Sequence, residues 1–201
     1  MLREKLIVIA ASTGGPRILV EIFSEIPRGL PSALVVVQHI LPKFVGSFAR
    51  RLRKVSRVPV RIGTHGMKLK VGSAVLAPGR RHLLLAEDEE GVNVVLNNSP
   101  PRKGVIPSAD LTMISAAPIY QECLMGVILT GMGSDGLEGF KSVKEAGGIT
   151  IVEDEESSAV YGMPGEVVKM GLADKILTPE EITKEIIRFS WEKHNYGYDK
   201  V

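Results

Sequence analysis

The 201 residues carry 25 lysines and arginines against 23 aspartates and glutamates, a formal net charge of +2 that is too near neutral to point to nucleic acid. With 44% hydrophobic and 24% charged residues, the chain has the profile of a folded globular protein, and its length fits one domain over 1–201. No apolar run approaches the ~20 residues that span a bilayer. Met1-Leu-Arg-Glu-Lys runs straight into an apolar segment with no signal peptide, so a cytoplasmic protein without membrane insertion is expected. A single cysteine, Cys123, cannot form an internal disulfide, and its apolar surroundings read as a core thiol rather than a nucleophile.

In chain order, the apolar run Leu6–Ala11 predicts a strand, followed by Ser12, a glycine turn at Gly14-Gly15 and a helix over about 15–26. The run 33–38 predicts a second strand, ended by His39 and followed by a basic helix over 43–55. A β-rich middle comes next, at 58–62 and 74–77, and then two strands at 82–86 and 92–96 that flank the acidic turn Glu87–Gly91 as a hairpin. Ser108 is placed to cap a helix running to about Glu122, because its hydroxyl can accept from first-turn amides. Strands at 124–130, 149–153 and 174–177 alternate with helices at 135–146, 164–170 and from Thr178-Pro179 onward. The alternation predicts an α/β fold: a doubly wound, mostly parallel sheet with helices on both faces and an antiparallel β-hairpin insertion. The tail after Trp191 is polar and is expected to fray, and His65, His82 and His194 are read as structural or surface residues.

Ser12, His39 and Asp135 share one setting, the carboxyl end of a strand. That rim of an open parallel sheet is where ligands and chemistry gather. A serine hydroxyl needs a base within hydrogen-bond reach, histidine suits that role near neutrality, and a carboxylate orients the imidazole. Backbone amides at Thr13 and around Gly131-Met132 are candidate donors to an oxyanion. Each residue also has a plainer reading: Ser12 and Asp135 as helix caps, His39 as a loop histidine. No Cys/His cluster offers a metal site, and no cofactor is expected.

Two alternatives compete. Gly131-Met-Gly133-Ser-Asp-Gly136 fits the G-x-G-x-x-G pattern of a dinucleotide site, with Glu153 and Asp154 where a ribose-binding acid would lie. Against it, Asp135 would set a carboxylate inside a loop meant to cradle pyrophosphate. The α/β-hydrolase elbow G-x-S-x-G is absent, since the chain reads Ala10-Ala-Ser-Thr-Gly14, and the order Ser, His, Asp also differs. A non-catalytic binding module on the same scaffold is a third class.

The segments AASTGGP (10–16), VVVQHILP (35–42), VLAPG (75–79), PSAD (107–110), LTGMGSDG (129–136) and VYGMP (160–164) resemble the catalytic domain of CheB, the chemotaxis protein-glutamate methylesterase. The resemblance runs in order through nearly the whole chain. It implies Ser12 as nucleophile, His39 as general base and acid, Asp135 as orienting carboxylate, and the amides of Thr13 and Met132 as oxyanion donors. It implies hydrolysis of γ-glutamyl methyl esters on the cytoplasmic domain of methyl-accepting chemoreceptors, release of methanol, and deamidation of receptor glutamines. Family members usually carry an N-terminal receiver domain, which is not expected within these residues. The basic helix, with Lys43, Arg50, Arg51, Arg53 and Lys54, reads either as a solvated face or as a dock for an acidic receptor surface through Arg50 and Arg53.

Overall fold

The computed structural model describes residues 4–192; His194 and the polar tail from 193 lie outside the described residues. Among the described residues, sixteen segments of regular structure include nine strands: β1 (Lys5–Ala11), β2 (Ser32–Gln38), β3 (Val60–Ile62), β4 (Ala74–Leu76), β5 (His82–Asp88), β6 (Gly91–Asn97), β7 (Leu124–Ile128), β8 (Ile149–Glu153) and β9 (Lys175–Leu177). Six α-helices accompany them: α1 (Gly15–Glu25), α2 (Pro42–Val55), α3 (Ala109–Tyr120), α4 (Leu137–Glu145), α5 (Met163–Lys169) and α6 (Pro179–Trp191).

Seven strands form one sheet in the order β3-β4-β2-β1-β7-β8-β9, and every pairing in it is parallel. All seven residues of β1 and of β2 are buried, as a parallel sheet covered on both faces requires. Alternate residues of β1 serve two cores. Ile7, Ile9 and Ala11 pack with α1, α2 and α6, while Leu6, Val8 and Ala10 pack with α3, α4 and the hairpin. The hairpin β5-β6 forms a separate antiparallel pair, its tight turn at Glu89-Glu90 set by the pairing of Asp88 with Gly91.

The predicted elements appear with ends shifted by one or two residues. The largest difference is at 135–146, where the helix begins at Leu137 because Gly136 takes the left-handed N-cap position (φ 100°). The sheet order sets the location of the chemistry. The chain passes from β1 to β2 on one side and returns to β7 on the other, so β1 lies at the point where the winding reverses.

Candidate active site

Because β1, β2 and β7 are adjacent, the residues that follow them emerge side by side at the carboxyl edge of the sheet. Ala11 pairs with Gln38, so Ser12 and His39 are the next residues of their strands in register. The His39 amide donates to the Ala11 carbonyl at 2.9 Å, and the Ser12 amide donates to the Thr130 carbonyl at 3.0 Å. The first contact ties the β2 exit to β1; the second ties Ser12 to the β7 exit.

His39 and Asp135, 96 residues apart in sequence, meet at 2.8 Å through Nε2 and Oδ2. With Nε2 so engaged, Nδ1 is the ring nitrogen left to exchange a proton, and among the described residues it has no partner although it is buried. The Ser12 hydroxyl makes no hydrogen bond to His39 here. Such contacts commonly tighten only when substrate binds.

Asp135 is buried, and its carboxylate accepts from three further donors: the Ser108 hydroxyl at 2.7 Å, the Ala109 amide at 2.6 Å and the Asp110 amide at 3.1 Å. These amides open α3, so the carboxylate sits at a helix N-terminus where negative charge is favoured. Burial pushes the Asp135 carboxyl up, but the bonds from His39, Ala109 and Ser108 outweigh it and hold the group below the ordinary aspartate range. Asp135 is therefore an anion well placed to orient an imidazole. It does not cap α4, the plainer reading of its position. That task falls to Asp110, whose Oδ1 accepts from the amides of Gly136 (2.8 Å) and Gly139 (2.9 Å).

The same contacts weaken the dinucleotide reading of Gly131, Gly133 and Gly136. The α4 amides that would meet a pyrophosphate are already taken by a buried carboxylate. Glu153, placed by sequence as a ribose-binding acid, is fully buried and accepts from the Thr130 amide at 2.7 Å.

Two glycines shape the surroundings of Ser12. Gly14 has φ 86°, and a Cβ there would lie 2.7 Å from Ala159 Cβ. A Cβ on Gly131 would lie 2.6 Å from both Ser12 Cβ and Met163 Sδ. Gly131 thus lets the loop after β7 press against Ser12. The amides of Thr13 and Met132 donate no hydrogen bond to the described residues, as oxyanion donors must not. Arg50 and Arg53 sit on the later turns of α2, away from His39, and Arg53 Nε donates to the Val60 carbonyl at 2.8 Å. Among the described residues, no cluster of three or more His, Cys, Asp or Glu is arranged to hold a metal ion.

Several supporting residues escape a reading of the sequence. Gln38, buried at the end of β2, donates from Nε2 to the carbonyls of both Ser12 (2.8 Å) and His39 (3.0 Å). His82 is fully buried, accepts from the Ser108 amide through Nδ1 and donates to the Pro100 carbonyl through Nε2, which fixes the start of α3 under Asp135. Ser108 was legible as a cap and does accept from the Leu111 amide; its donation to Asp135 was not legible. The Thr130 hydroxyl donates to the Thr13 carbonyl and accepts from the Val160 amide, which joins VYGMP to the site.

A family model for the CheB methylesterase matches residues 7–186. A protein-glutamate methylesterase/protein-glutamine glutaminase of Symbiobacterium thermophilum is 42% identical over 93% of the chain, and one of Pyrococcus abyssi is 39% identical over 90%. The chain covers 51% and 50% of these two proteins, about half the length of the curated relatives it matches. The crystal structure of the Thermotoga maritima CheB methylesterase catalytic domain superposes with a TM-score of 0.91 at 40% identity, covering 93% of this chain and 99% of that one. On the matched sequence and the shared fold, the chain belongs to the CheB methylesterase family.

Proposed function

We propose that the chain hydrolyses γ-glutamyl methyl esters on the cytoplasmic domain of chemoreceptors and deamidates receptor glutamines, with Ser12, His39 and Asp135 as its catalytic residues. The observation that carries this reading is the 2.8 Å bond between His39 Nε2 and Asp135 Oδ2 beside Ser12, which leaves Nδ1 to serve as the base. The names borne by the relatives support the substrate. Ser12 Oγ attacks the ester carbonyl as His39 takes its proton. The oxyanion is held by the amides of Thr13 and Met132. His39 returns the proton to the departing methoxide, and methanol leaves an acyl-serine. Water, deprotonated by the same imidazole, then releases the glutamate carboxylate and restores the hydroxyl. Asp135 fixes the ring and stabilises the imidazolium.

No described helix is long and apolar enough to cross a membrane, and the proposed place of action is the cytoplasm. In a longer protein a receiver domain would control access to Ser12. The test is methanol release from methylated chemoreceptor. Wild type releases methanol and Ser12→Ala does not; turnover by Ser12→Ala near the wild-type rate would remove the assignment.

A further inference from the structure

The near-neutral total charge conceals a division. Between Glu25 and Glu87 the sequence has twelve lysines and arginines and no aspartate or glutamate. The remainder has 13 basic residues against 23 acidic ones, a net charge of −10. The basic segment holds β2, α2, β4 and the edge strand β3 at one edge of the sheet, and the start of the hairpin strand β5. Of its lysines and arginines, only Lys68 pairs with a carboxylate, that of Glu90, among the described residues.

On α2, Lys43, Arg50 and Lys54 fall on one line at 3.6 residues per turn, opposite the buried Val45, Phe48, Ala49 and Leu52. Arg51 and Arg53 flank that line. Like charges three and four apart repel and weaken a helix. The helix C-terminus offsets this for Arg53 and Lys54 but not for Arg50 and Arg51. A surface needed only for solubility mixes both signs. Beyond the last turn, Arg28, Arg53, Ser56 and Arg57 line a hollow of about 390 Å³ drawn from three separate segments. At the other end of α2, beside His39, the surface turns apolar: Leu41 and Phe44 are exposed, as is Met132 across the site.

We propose that this face is the track on which an acidic protein substrate lies: its ester-bearing segment rests on the apolar rim at Ser12, and its carboxylate-rich flank runs along α2 to the Arg28–Arg53–Arg57 hollow. The inference rests on the esterase reading above and extends it from the reacting centre to about 20 Å of surface, the length of the 14-residue α2. Charge complementarity defines the partner. The apolar rim continuous with the reacting centre favours a protein over nucleic acid, which offers Ser12 no acyl group.

The test compares wild type, Arg28→Glu/Arg57→Glu and, as a charge-matched control on the acidic side, Lys141→Glu/Lys184→Glu. Each acts on a methylated chemoreceptor cytoplasmic fragment over a range of salt, and on 4-nitrophenyl acetate, which is too small to reach from Ser12 to the Arg28–Arg57 hollow. At low salt, the Arg28/Arg57 double variant should lose about tenfold or more in kcat/KM on the receptor fragment, mostly through KM. Its turnover of the small ester should match wild type, and the control pair should match wild type on both. Added salt should bring wild type down toward the variant. Equal receptor turnover by wild type and the Arg28/Arg57 variant at low salt overturns the track. So does unchanged turnover accompanied by lost retention on immobilised DNA, which would assign the face to nucleic acid. Wild type that hydrolyses the small ester but releases no methanol from the receptor fragment removes the substrate reading itself, and the track with it.

Discussion

Asp110 and Asp135 exchange helices. Asp135, just before α4, accepts from the first amides of α3, while Asp110, in the first turn of α3, accepts from the first amides of α4. The exchange locks two helix starts together with two buried carboxylates, and one of those carboxylates holds His39. Lys103 and Arg102, 2.9 and 3.5 Å from Asp110 Oδ2, supply the counter-charge.

Removing Asp110 should therefore act at a distance. Asp110→Ala leaves two buried α4 amides and a neighbouring lysine without their acceptor, and should cost about 3 kcal/mol of stability. Asp110→Asn keeps one acceptor oxygen and should cost less. Urea unfolding of the two variants measures this; equal stability of wild type and Asp110→Ala would refute the reciprocal cap.

Gln38 sets the spacing of Ser12 and His39, the proposed nucleophile and base, because one side-chain amide holds both their carbonyls. Gln38→Met fills the same volume without the donor. It should lower kcat on a small ester by as much as about 10²-fold, the scale on which misplacement by an ångström acts, with KM little changed. A rise in KM with kcat intact would instead make Gln38 part of substrate binding.

Gly131 is required by contact rather than by backbone angle. Gly131→Ala places a methyl 2.6 Å from Ser12 Cβ, so either Ser12 or the Met132 peptide must move. Esterase turnover should fall steeply while thermal stability falls less. Retained turnover would show that the loop yields without disturbing the site.

Much of the site was legible because Ser12, His39 and Asp135 each end or closely follow an apolar run, and a parallel sheet gathers such ends on one edge. The strand order that makes β1, β2 and β7 neighbours was not legible, since it depends on which face each helix covers. Gln38, Asp110 and His82 were hidden for a related reason. Each has a decisive partner 26 residues away in sequence (Ser12, Gly136 and Ser108), and nothing local marks a buried glutamine, aspartate or histidine as a strut. The basic helix was visible, but that its lysines and arginines have no ion-pair partner among the described residues became clear only from the fold.

Two buried carboxylates should give opposite pH responses. Asp135 is held below its ordinary value, so its contribution to stability is present above the usual aspartate pKa and is lost as pH falls through the lowered one. Burial raises Glu153 against the bonds from Thr130 and Ser157, so its contribution is present at low pH and is lost as pH rises through the raised value. Glu153→Gln should therefore gain stability relative to wild type between the ordinary glutamate range and neutrality. Unfolding at a series of pH values checks this, and a pH-independent difference would contradict it.

Ser12 is the proposed nucleophile, made reactive by His39 and Asp135. Reaction with a fluorophosphonate, followed by peptide mass mapping, tests it directly. The adduct should sit on Ser12, be absent in His39→Ala, and form up to ~10⁴ more slowly in Asp135→Asn. An adduct on another residue, or labelling of Ser12 at an undiminished rate in His39→Ala, would contradict it.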